Sequence, residues 1–173
     1  ASETDANLYY ATKFIAPDPF IYLEIKGERL LVMNDLEMDR AKSQASVDRV
    51  LSYSEIEQRA RDQGVASPGS VDVVHVVFRD AKIKHVLVPG NFPFRHASRL
   101  QELGYQVHAK PDPFYEQRVV KTAEEVRHIE EAQRATEAAV AAAHAVLRRA
   151  AIVKDEVWLE DAPLTSERIK KLI

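Results

Sequence analysis

One stretch, Arg118 to Arg149, constrains the fold of this chain more than any other. It contains neither proline nor glycine, and alanine and glutamate, both good helix formers, dominate it. Thr122 is followed three residues later by Glu125, which is the spacing of a capping box. Glutamates lie at the positive end of the helix dipole and arginines at its negative end. The stretch therefore predicts a single uninterrupted helix.

The length of this helix indicates that it reaches beyond its own domain. At about 1.5 Å per residue it measures roughly 40 Å, more than the roughly 30 Å width of a small domain. Its apolar residues fall on one stripe with Gln133 and Thr136 in the middle. The stripe consists of Val126, Ile129, Val140, Ala143 and Leu147. We expect the half beyond about Ala138 to be covered by a neighbouring molecule or to fray, because its stripe would otherwise face water.

Composition and charge exclude several classes of protein. A length of 173 residues fits one domain with an attached element. No apolar run approaches the roughly 18 residues of a membrane span. The absence of cysteine excludes a disulfide framework and thiol chemistry, and it favours a cytoplasmic protein. A net charge of −3, with basic and acidic residues interspersed, argues against a nucleic-acid partner.

Short apolar runs and turn residues alternate upstream of the long helix. Two runs, 20–25 and 29–33, flank a glycine turn and predict an antiparallel hairpin. Residues 34–46 predict a loop or short helix. The next predicted elements are a strand at 47–53, a helix capped by Ser54 with Glu57 and ended by Gly64, a helix at 71–83, a buried strand at 85–88, a helix at 92–103 and a strand at 105–108. This alternation predicts an α/β layer with some parallel pairing.

The sequence after Arg149 predicts less order until a helix that begins at about Ser166. The chain stops at Ile173, inside that helix. A natural domain seldom ends one turn into a helix, so we expect the chain to be a piece of a longer protein.

Two groups of residues have metal-ligand character, and each has a simpler explanation. Glu125 and His128 show the Glu-x-x-His spacing of di-iron bundles, but the chain lacks the second copy that such a site needs. We therefore expect a solvated helix face. The second group is a carboxylate cluster, for which a charged loop suffices: Asp35, Glu37 and Asp39.

The sequence offers no nucleophile in a recognisable setting, because it has no cysteine and no Gly-x-Ser-x-Gly elbow. Residues 89–91, Pro-Gly-Asn, stand where an anion could bind before a helix, but an ordinary turn is the preferred interpretation. His144 lies among alanines and is interpreted as a packing or interface residue. The aromatic residues near the start of the chain are expected in the core or an interface: Tyr9, Tyr10, Phe14 and Phe20.

The opening of the chain resembles that of a known family. Residues 5–14, Asp-Ala-Asn-Leu-Tyr-Tyr-Ala-Thr-Lys-Phe, resemble the Asn-(Leu/Met)-Tyr-Tyr-Leu-Thr-Gly-Phe stretch that opens the N-terminal domain of the creatinase, prolidase and aminopeptidase P group. The turn at Gly27, followed by the apolar residues 30–32, matches the hairpin of that domain. Lys13 departs from the pattern, because the family often has glycine there.

A second stretch carries the most specific resemblance. Residues 118–129 are similar to the family signature R-x-x-K-(S/T)-x-x-E-(I/V)-x-x-I, which opens the helix leading into the metal-binding "pita-bread" domain. The matching positions are Arg118, Lys121, Thr122, Glu125, Val126 and Ile129.

The resemblance implies an α/β fold, a mixed β-sheet flanked by helices like the creatinase N-terminal domain, followed by a long linker helix. It implies an N-terminal domain at 1–117 and a linker helix at 118–150 toward a catalytic domain. Residues 151–173 would then be the truncated start of the catalytic domain or of an insertion in it.

The implied activity belongs to the whole protein, a Xaa-Pro dipeptidase or aminopeptidase. In that family a C-terminal domain holds two divalent metal ions, such as Mn²⁺ or Co²⁺, and a bridging water acts as the nucleophile. None of the ligand motifs occurs in this chain, so no catalytic, cofactor-binding or metal residue is assigned. The implied roles of the N-terminal domain are homodimer formation and control of access to the active site. Its implied partners are a second copy and its own catalytic domain, with a peptide as substrate of the parent.

Three alternatives stay open. The chain could be a free-standing module that dimerises without belonging to a peptidase. It could also be the N-terminal domain of a creatinase-like hydrolase, which cleaves a C–N bond in a non-peptide substrate. The third alternative is a helical metal-binding protein built around Glu125 and His128.

Overall fold

The computed structural model describes residues 4–172. The chain divides into two compact units with the boundary between Arg118 and Val119.

The first unit combines helices with short strands. Its helices are α1 (Ala6–Thr12), α2 (Met38–Gln44), α3 (Tyr53–Asp62), α4 (Ser70–Asp80) and α5 (Phe94–Glu102), followed by a 3-10 helix, Glu116–Val119. Its strands are β1 (Ile21–Ile25), β2 (Glu28–Met33), β3 (Arg49–Ser52), β4 (His85–Pro89) and β5 (Gln106–Lys110).

Strands β1 and β2 form the predicted antiparallel hairpin. Ile25 lies opposite Glu28, and the two residues between them, Lys26 and Gly27, have φ values of +54° and +85°. Positive φ at both positions identifies a type I′ turn, whose twist matches that of the flanking strands and whose closing pair is hydrogen-bonded. The hairpin prediction is confirmed.

Parallel pairing completes the first unit. β2 pairs with β3 in parallel, and the second sheet consists of β4 and β5, also in parallel. Helices α3 and α4 pack on each other, and α5 packs on β5. The predicted α/β class with mixed pairing is confirmed.

The central strand β2 separates two apolar cores because its side chains alternate between the faces of the sheet. Leu30 and Val32 join the core under α3, α4 and α5, while Leu31 and Met33 join the core with Phe14 and α2. All four are nearly or fully buried. A strand that is buried on both faces reads as a continuous apolar run, as residues 30–33 do.

The predicted cap of α3 is wrong by two residues. The sequence pattern favours Ser54 paired with Glu57, but α3 begins at Tyr53. The cap is Ser52, whose hydroxyl accepts the backbone N–H of Glu55 at 3.2 Å. Strand β3 ends at Ser52 with extended backbone angles, so the helix starts directly from the strand without an intervening residue.

Strand β4 is confirmed, but the prediction that it is buried is wrong. Val88 faces the core and is 6% exposed, whereas Leu87 on the opposite face is 58% exposed. The helix ends are predicted correctly where glycine provides them: Gly64 and Gly104 follow α3 and α5 with φ values of +93° and +88°. Glycine reaches this left-handed region without steric cost.

Helix α1 is not predicted by the sequence pattern. It forms because the Asp5 carboxylate accepts the backbone N–H groups of Asn7 and Leu8 at 2.9 and 3.0 Å. It ends at Lys13, which adopts the left-handed conformation (φ +50°) and donates its N–H to the Tyr9 carbonyl. The turn thus forms with lysine at this position.

The left-handed backbone at Lys13 has a testable consequence. We expect Lys13→Gly to change the free energy of unfolding by less than about 1 kcal/mol, because relief of backbone strain offsets the loss of the ammonium contact over the Tyr10 ring, 4.8 Å from its centroid. Lys13→Val should lower the free energy of unfolding by about 1–3 kcal/mol, since a β-branched residue is poorly tolerated there. Urea denaturation of both variants measures the difference. Equal losses would contradict this explanation.

The second unit begins with the predicted long helix, α6 (Ala123–Arg149). Its capping box is confirmed: the Thr122 hydroxyl accepts the N–H of Glu125 at 3.2 Å, and the Glu125 carboxylate accepts the N–H of Thr122 at 2.9 Å. An i,i+4 ion pair joins Glu130 to Arg134 on the same helix, at 3.3 Å.

The second unit is more ordered after α6 than the sequence predicts. Strands β6 (Ala151–Val153), β7 (Glu156–Leu159) and β8 (Ala162–Pro163) form an antiparallel sheet, and α7 (Ser166–Leu172) follows. The turn between β6 and β7 contains Lys154 and Asp155 with φ values of +51° and +65°. Neither residue is glycine, so the hairpin lacks its usual sequence signal.

Candidate functional site

The two stretches that carry the resemblance meet within the first unit. The Arg118 guanidinium donates a hydrogen bond to the Asn7 side-chain carbonyl, across 111 positions of sequence. Asn7 lies at the start of α1, and Arg118 lies in the 3-10 helix that ends the unit. One contact therefore ties the first helix to the point where the chain leaves this unit.

Three tyrosines reinforce this junction. The rings of Tyr10 and Tyr115 lie 5.4 Å apart, and the Tyr115 hydroxyl is hydrogen-bonded to that of Tyr22. Burial raises the pKa of both Tyr22 and Tyr115, and the nearby Glu24 carboxylate raises each further. Both phenols therefore remain protonated near neutral pH and act as structural hydrogen-bonding groups.

A second, partly buried polar contact joins α4 to the residue that precedes β5. The Nδ1 atom of His75 lies 2.8 Å from the hydroxyl of Tyr105, which is 7% exposed. Burial lowers the pKa of His75, and the charge of Arg79 lowers it further. The folded state therefore prefers the neutral imidazole.

This preference predicts how stability depends on pH. Because the folded pKa of His75 lies below the unfolded value of about 6.5, its contribution is fully present above about pH 6.5 and is lost as the pH falls through the folded pKa. We expect the urea midpoint to decrease between about pH 7 and pH 5, and His75→Asn to flatten that decrease. An unchanged slope in the variant would assign the pH dependence to other groups.

In the candidate metal motif on α6, the glutamate already accepts hydrogen bonds from the cap of the helix. The Glu125 carboxylate accepts hydrogen bonds from the backbone N–H and the hydroxyl of Thr122, at 2.9 and 3.1 Å. His128 is exposed on the same helix. Within residues 4–172 no group of three or more histidine, aspartate or glutamate side chains is placed to hold a metal ion.

The carboxylates between β2 and β3 do not converge on one point. Asp35 accepts the Ser52 hydroxyl at 2.8 Å, and hydrogen bonds from Ser54 and Ser52 lower the pKa of its carboxyl. Glu37 forms an ion pair with Arg40. Asp39 lies in the first turn of α2, so these acids serve the loop and its helix.

Residues 89–91 form an ordinary turn. The Pro89 carbonyl accepts the N–H of Phe92 at 2.9 Å, and α5 begins after Pro93 without a side-chain cap. His144, predicted as a packing or interface residue, is exposed and lines a shallow depression with Leu147 and Arg148.

The four aromatic residues near the start of the chain have three different surroundings. Phe14 is 1% exposed, and its ring lies 6.1 Å from that of the partly buried Phe20, so both belong to a core. The ring of Tyr10 lies against that of Tyr115. Tyr9 is 43% exposed.

The apolar stripe of α6 is not covered by the described contacts. None of the residues in α6 is buried. Its four large apolar side chains are each about half exposed: Val126 41%, Ile129 56%, Val140 51% and Leu147 49%. Side chains at these spacings share one side of a helix. The stripe therefore has an apolar section near each end of the helix, with Gln133 and Thr136 between the two sections.

More apolar surface is exposed elsewhere in the second unit. Ile152 and Val157 lie opposite each other in the β6–β7 pair and are 81% and 42% exposed. Val119 and Val120, before α6, are 65% and 78% exposed. Contiguous exposed apolar patches often mark interaction sites. The sequence located the stripe on α6 but missed the Ile152–Val157 pair, because the β6–β7 hairpin was not predicted.

Comparisons by sequence give no match, neither among protein-family models nor among curated proteins. In residues 4–172, no helix combines the length and apolar character that crossing a membrane requires.

Solved structures give clear similarities. An X-Pro aminopeptidase from Thermotoga maritima matches 88% of this chain with a TM-score of 0.65 and 19% identity. Prolidases from Pyrococcus furiosus and Pyrococcus horikoshii match 86% and 84% of the chain, with TM-scores of 0.57 and 0.58 and identities of 18% and 17%.

These matches cover only part of each known protein. The chain spans 40% of the aminopeptidase and 39% and 37% of the two prolidases. At such low identity the likeness establishes the fold. The chain has the fold of the N-terminal domains of prolidase-type structures, as its resemblance to the creatinase, prolidase and aminopeptidase P group predicts.

Proposed function

We infer that this chain is the N-terminal, non-catalytic part of a Xaa-Pro dipeptidase or aminopeptidase P-like hydrolase. Residues 1–117 would form the N-terminal domain, 118–150 the linker helix, and 151–173 the start of the catalytic domain or of an insertion in it. The single observation that carries this proposal is the exposed apolar face of α6. The fold and the boundary between the two units after Arg118 support it.

The energetics of the α6 face favour a covering partner. Complete burial of one valine, leucine or isoleucine side chain contributes about 1.5–3 kcal/mol. Because the four large side chains of the stripe are each about half exposed, covering them would contribute on the order of 3–6 kcal/mol in total. The catalytic domain of the same polypeptide is the partner that requires no separate binding step.

The proposal assigns the chemistry to that catalytic domain. The domain would hold two divalent metal ions, Mn²⁺ or Co²⁺, which would supply an activated water for hydrolysis of the peptide bond before proline. Residues 1–173 supply no ligands in this scheme. Their proposed roles are formation of a cytoplasmic homodimer and control of peptide access to the active site.

A peptidase assay tests the proposal. Full-length protein and the 173-residue chain would be given Ala-Pro and Gly-Pro substrates with added Mn²⁺ or Co²⁺. We expect hydrolysis by the full-length protein alone, and a dimer in sedimentation experiments. A full-length protein that cleaves only a non-peptide C–N bond would indicate the creatinase-like alternative, and a protein that dimerises without any hydrolysis would indicate the interaction module.

A pair of variants tests the role of the α6 face in the full-length protein. Val140→Asp introduces a charge into the stripe, whereas Ala138→Asp introduces the same charge two residues away, about 200° around the helix. We expect Val140→Asp to reduce hydrolysis at least about tenfold, equivalent to about 1.4 kcal/mol, and Ala138→Asp to leave it nearly unchanged. Equal effects would contradict docking through the stripe.

A further inference from the structure

Strand β3 forms an open edge of the first sheet. In the described part of the chain the strand order is β1-β2-β3, so one side of β3 pairs with β2 and the other has no strand beside it. An unpaired strand edge presents a row of N–H and C=O groups to which another strand can bond. Which groups point outward follows from the register.

The hairpin turn fixes this register. The closing pair Ile25–Glu28 is hydrogen-bonded, so Leu31, three positions after Glu28, turns its backbone groups away from β1 and toward β3. Leu31 lies opposite Val50, and in a parallel ladder it bonds to the two neighbours of that residue. Val50 therefore directs both its N–H and its C=O outward. No bond to either group is found in the turns and loops of residues 4–172.

A groove of about 550 Å³ is lined by residues 49–52 of β3, together with the turn end of the β1–β2 hairpin and parts of helices α2, α3 and α4. Its volume falls within the range of about 300–1,000 Å³ that is typical of ligand sites. Helix α2 borders it with Met38 and Lys42, and helix α3 borders it with Glu55 and the buried Ile56. Val50 packs with the α2 side, so a strand added at this edge would alternate its side chains between the two helices.

The charges around the groove favour a particular ligand. Two ion pairs on its rim are internal: Arg49 with Glu28 at 3.4 Å, and Arg59 with Asp80 at 2.5 Å. Lys42 and Glu55, in contrast, form no ion pair within residues 4–172. The α2 wall therefore carries one unpaired cation, and the α3 wall carries one unpaired anion.

We propose that this groove binds an extended peptide segment of a partner protein as an additional β-strand beside β3. The segment pairs antiparallel with β3, and its backbone bonds to the N–H and C=O of Val50. The residue opposite Val50 is acidic and faces Lys42, while the residue opposite Leu51 is basic and faces Glu55. A second copy of this chain fits less well, because pairing of the same edge would place Val50 opposite Val50 and provide no carboxylate for Lys42.

A short synthetic peptide tests the proposal on the 173-residue chain. The probe is acetyl-Val-Lys-Asp-Leu-Val-amide, in which aspartate takes the position opposite Val50 and lysine the position opposite Leu51. We expect the probe to shift backbone amide resonances at Val50 and at its neighbours along β3 in NMR titrations. The same peptide with an N-methyl group on the aspartate nitrogen keeps every side chain but lacks the central donor, and we expect it to bind at least about fivefold more weakly.

A charge exchange tests the predicted preference. The swapped probe is acetyl-Val-Glu-Lys-Leu-Val-amide. We expect the wild-type chain to favour the first probe by about threefold or more, and the double variant Lys42→Glu/Glu55→Lys to favour the swapped probe, since an exposed ion pair contributes about 0.2–1 kcal/mol. The amide spectrum of the variant shows whether it is folded.

Three results would overturn the proposal. One is the absence of resonance shifts at β3 with millimolar peptide. Another is equal binding of the N-methylated peptide, which would exclude strand pairing. The third is concentration-dependent protection of the Val50 amide without peptide, which would assign the edge to a second copy of the chain.

Discussion

Replacing Phe14 with alanine is expected to lower the free energy of unfolding of the first unit by about 3–5 kcal/mol. The Phe14 ring is 1% exposed and packs in the core that contains Leu31, Met33 and Ala41. Its face also carries the Arg40 guanidinium, 4.6 Å from the ring centroid. Truncation leaves a cavity between the start of the chain and the central strand β2. This cavity can close only if the start of the chain or the strand moves.

The distribution of chromophores allows this effect to be measured in the intact chain. All six tyrosines lie in the first unit, and the only tryptophan, Trp158, lies in the second. Near-ultraviolet circular dichroism of the tyrosines during urea denaturation reports the first unit. Phe94→Ala is the matched control, because Phe94 is 83% exposed and its loss should change stability by less than about 0.5 kcal/mol. Similar losses in both variants would mean that Phe14 does not hold the core together.

Leu159→Ala should have the second large effect, a loss of about 2–5 kcal/mol from the second unit. Leu159 is 4% exposed and is the only buried side chain among the described residues of that unit. It lies on β7, the strand that contacts α6. Because the core of this unit is so small, removing the Leu159 side chain takes away a large fraction of its buried apolar surface.

Selective tryptophan fluorescence measures this loss, since Trp158 precedes Leu159 in the same strand. Ile152→Ala serves as the control, because Ile152 lies on the neighbouring strand and is 81% exposed. We expect the control to unfold at nearly the wild-type urea concentration. A control as destabilised as Leu159→Ala would show that exposed apolar side chains of this sheet also stabilise it.

The elements that the sequence predicts correctly are those with strong local signals. Helix α6 is specified by its composition and capping box, and the β1–β2 hairpin by apolar runs around Gly27. The helical assignment of α4 is confirmed although its valines favour strands, because Val73, Val76 and Val77 share one buried side of the helix. For α6 and the hairpin the local preference and the packed structure agree, whereas in α4 the helical spacing of the buried valines outweighs their preference for strands.

The errors arise where the decisive interaction is not visible in local composition. Ser54 is a better cap than Ser52 by motif, but the end of β3 determines where α3 starts. The turn at Lys154 and Asp155 has positive φ without glycine, so the hairpin that follows α6 is missed. The open edge of β3 depends on the order of the strands and on which backbone groups of β3 bond to β2. Neither can be obtained from residues 47–53 alone.

The candidate surfaces differ in the same way. The α6 stripe is predictable because helical spacing is a property of sequence, and the structure adds only that its large apolar side chains are about half exposed. Lys42 and Glu55 lie on different helices with β3 between them in the chain. Only the tertiary structure places them on opposite walls of one groove.

The contact between Asn7 and Arg118 determines how late in synthesis helix α1 can gain its stabilising partner. Synthesis proceeds at about 5–20 residues per second, so the 111 positions that separate the partners take roughly 6–22 s to translate. Throughout that interval the first helix lacks the partner that ties it to the end of its unit. A nascent chain halted before Arg118 should therefore leave α1 more accessible to a protease than one halted beyond the 3-10 helix.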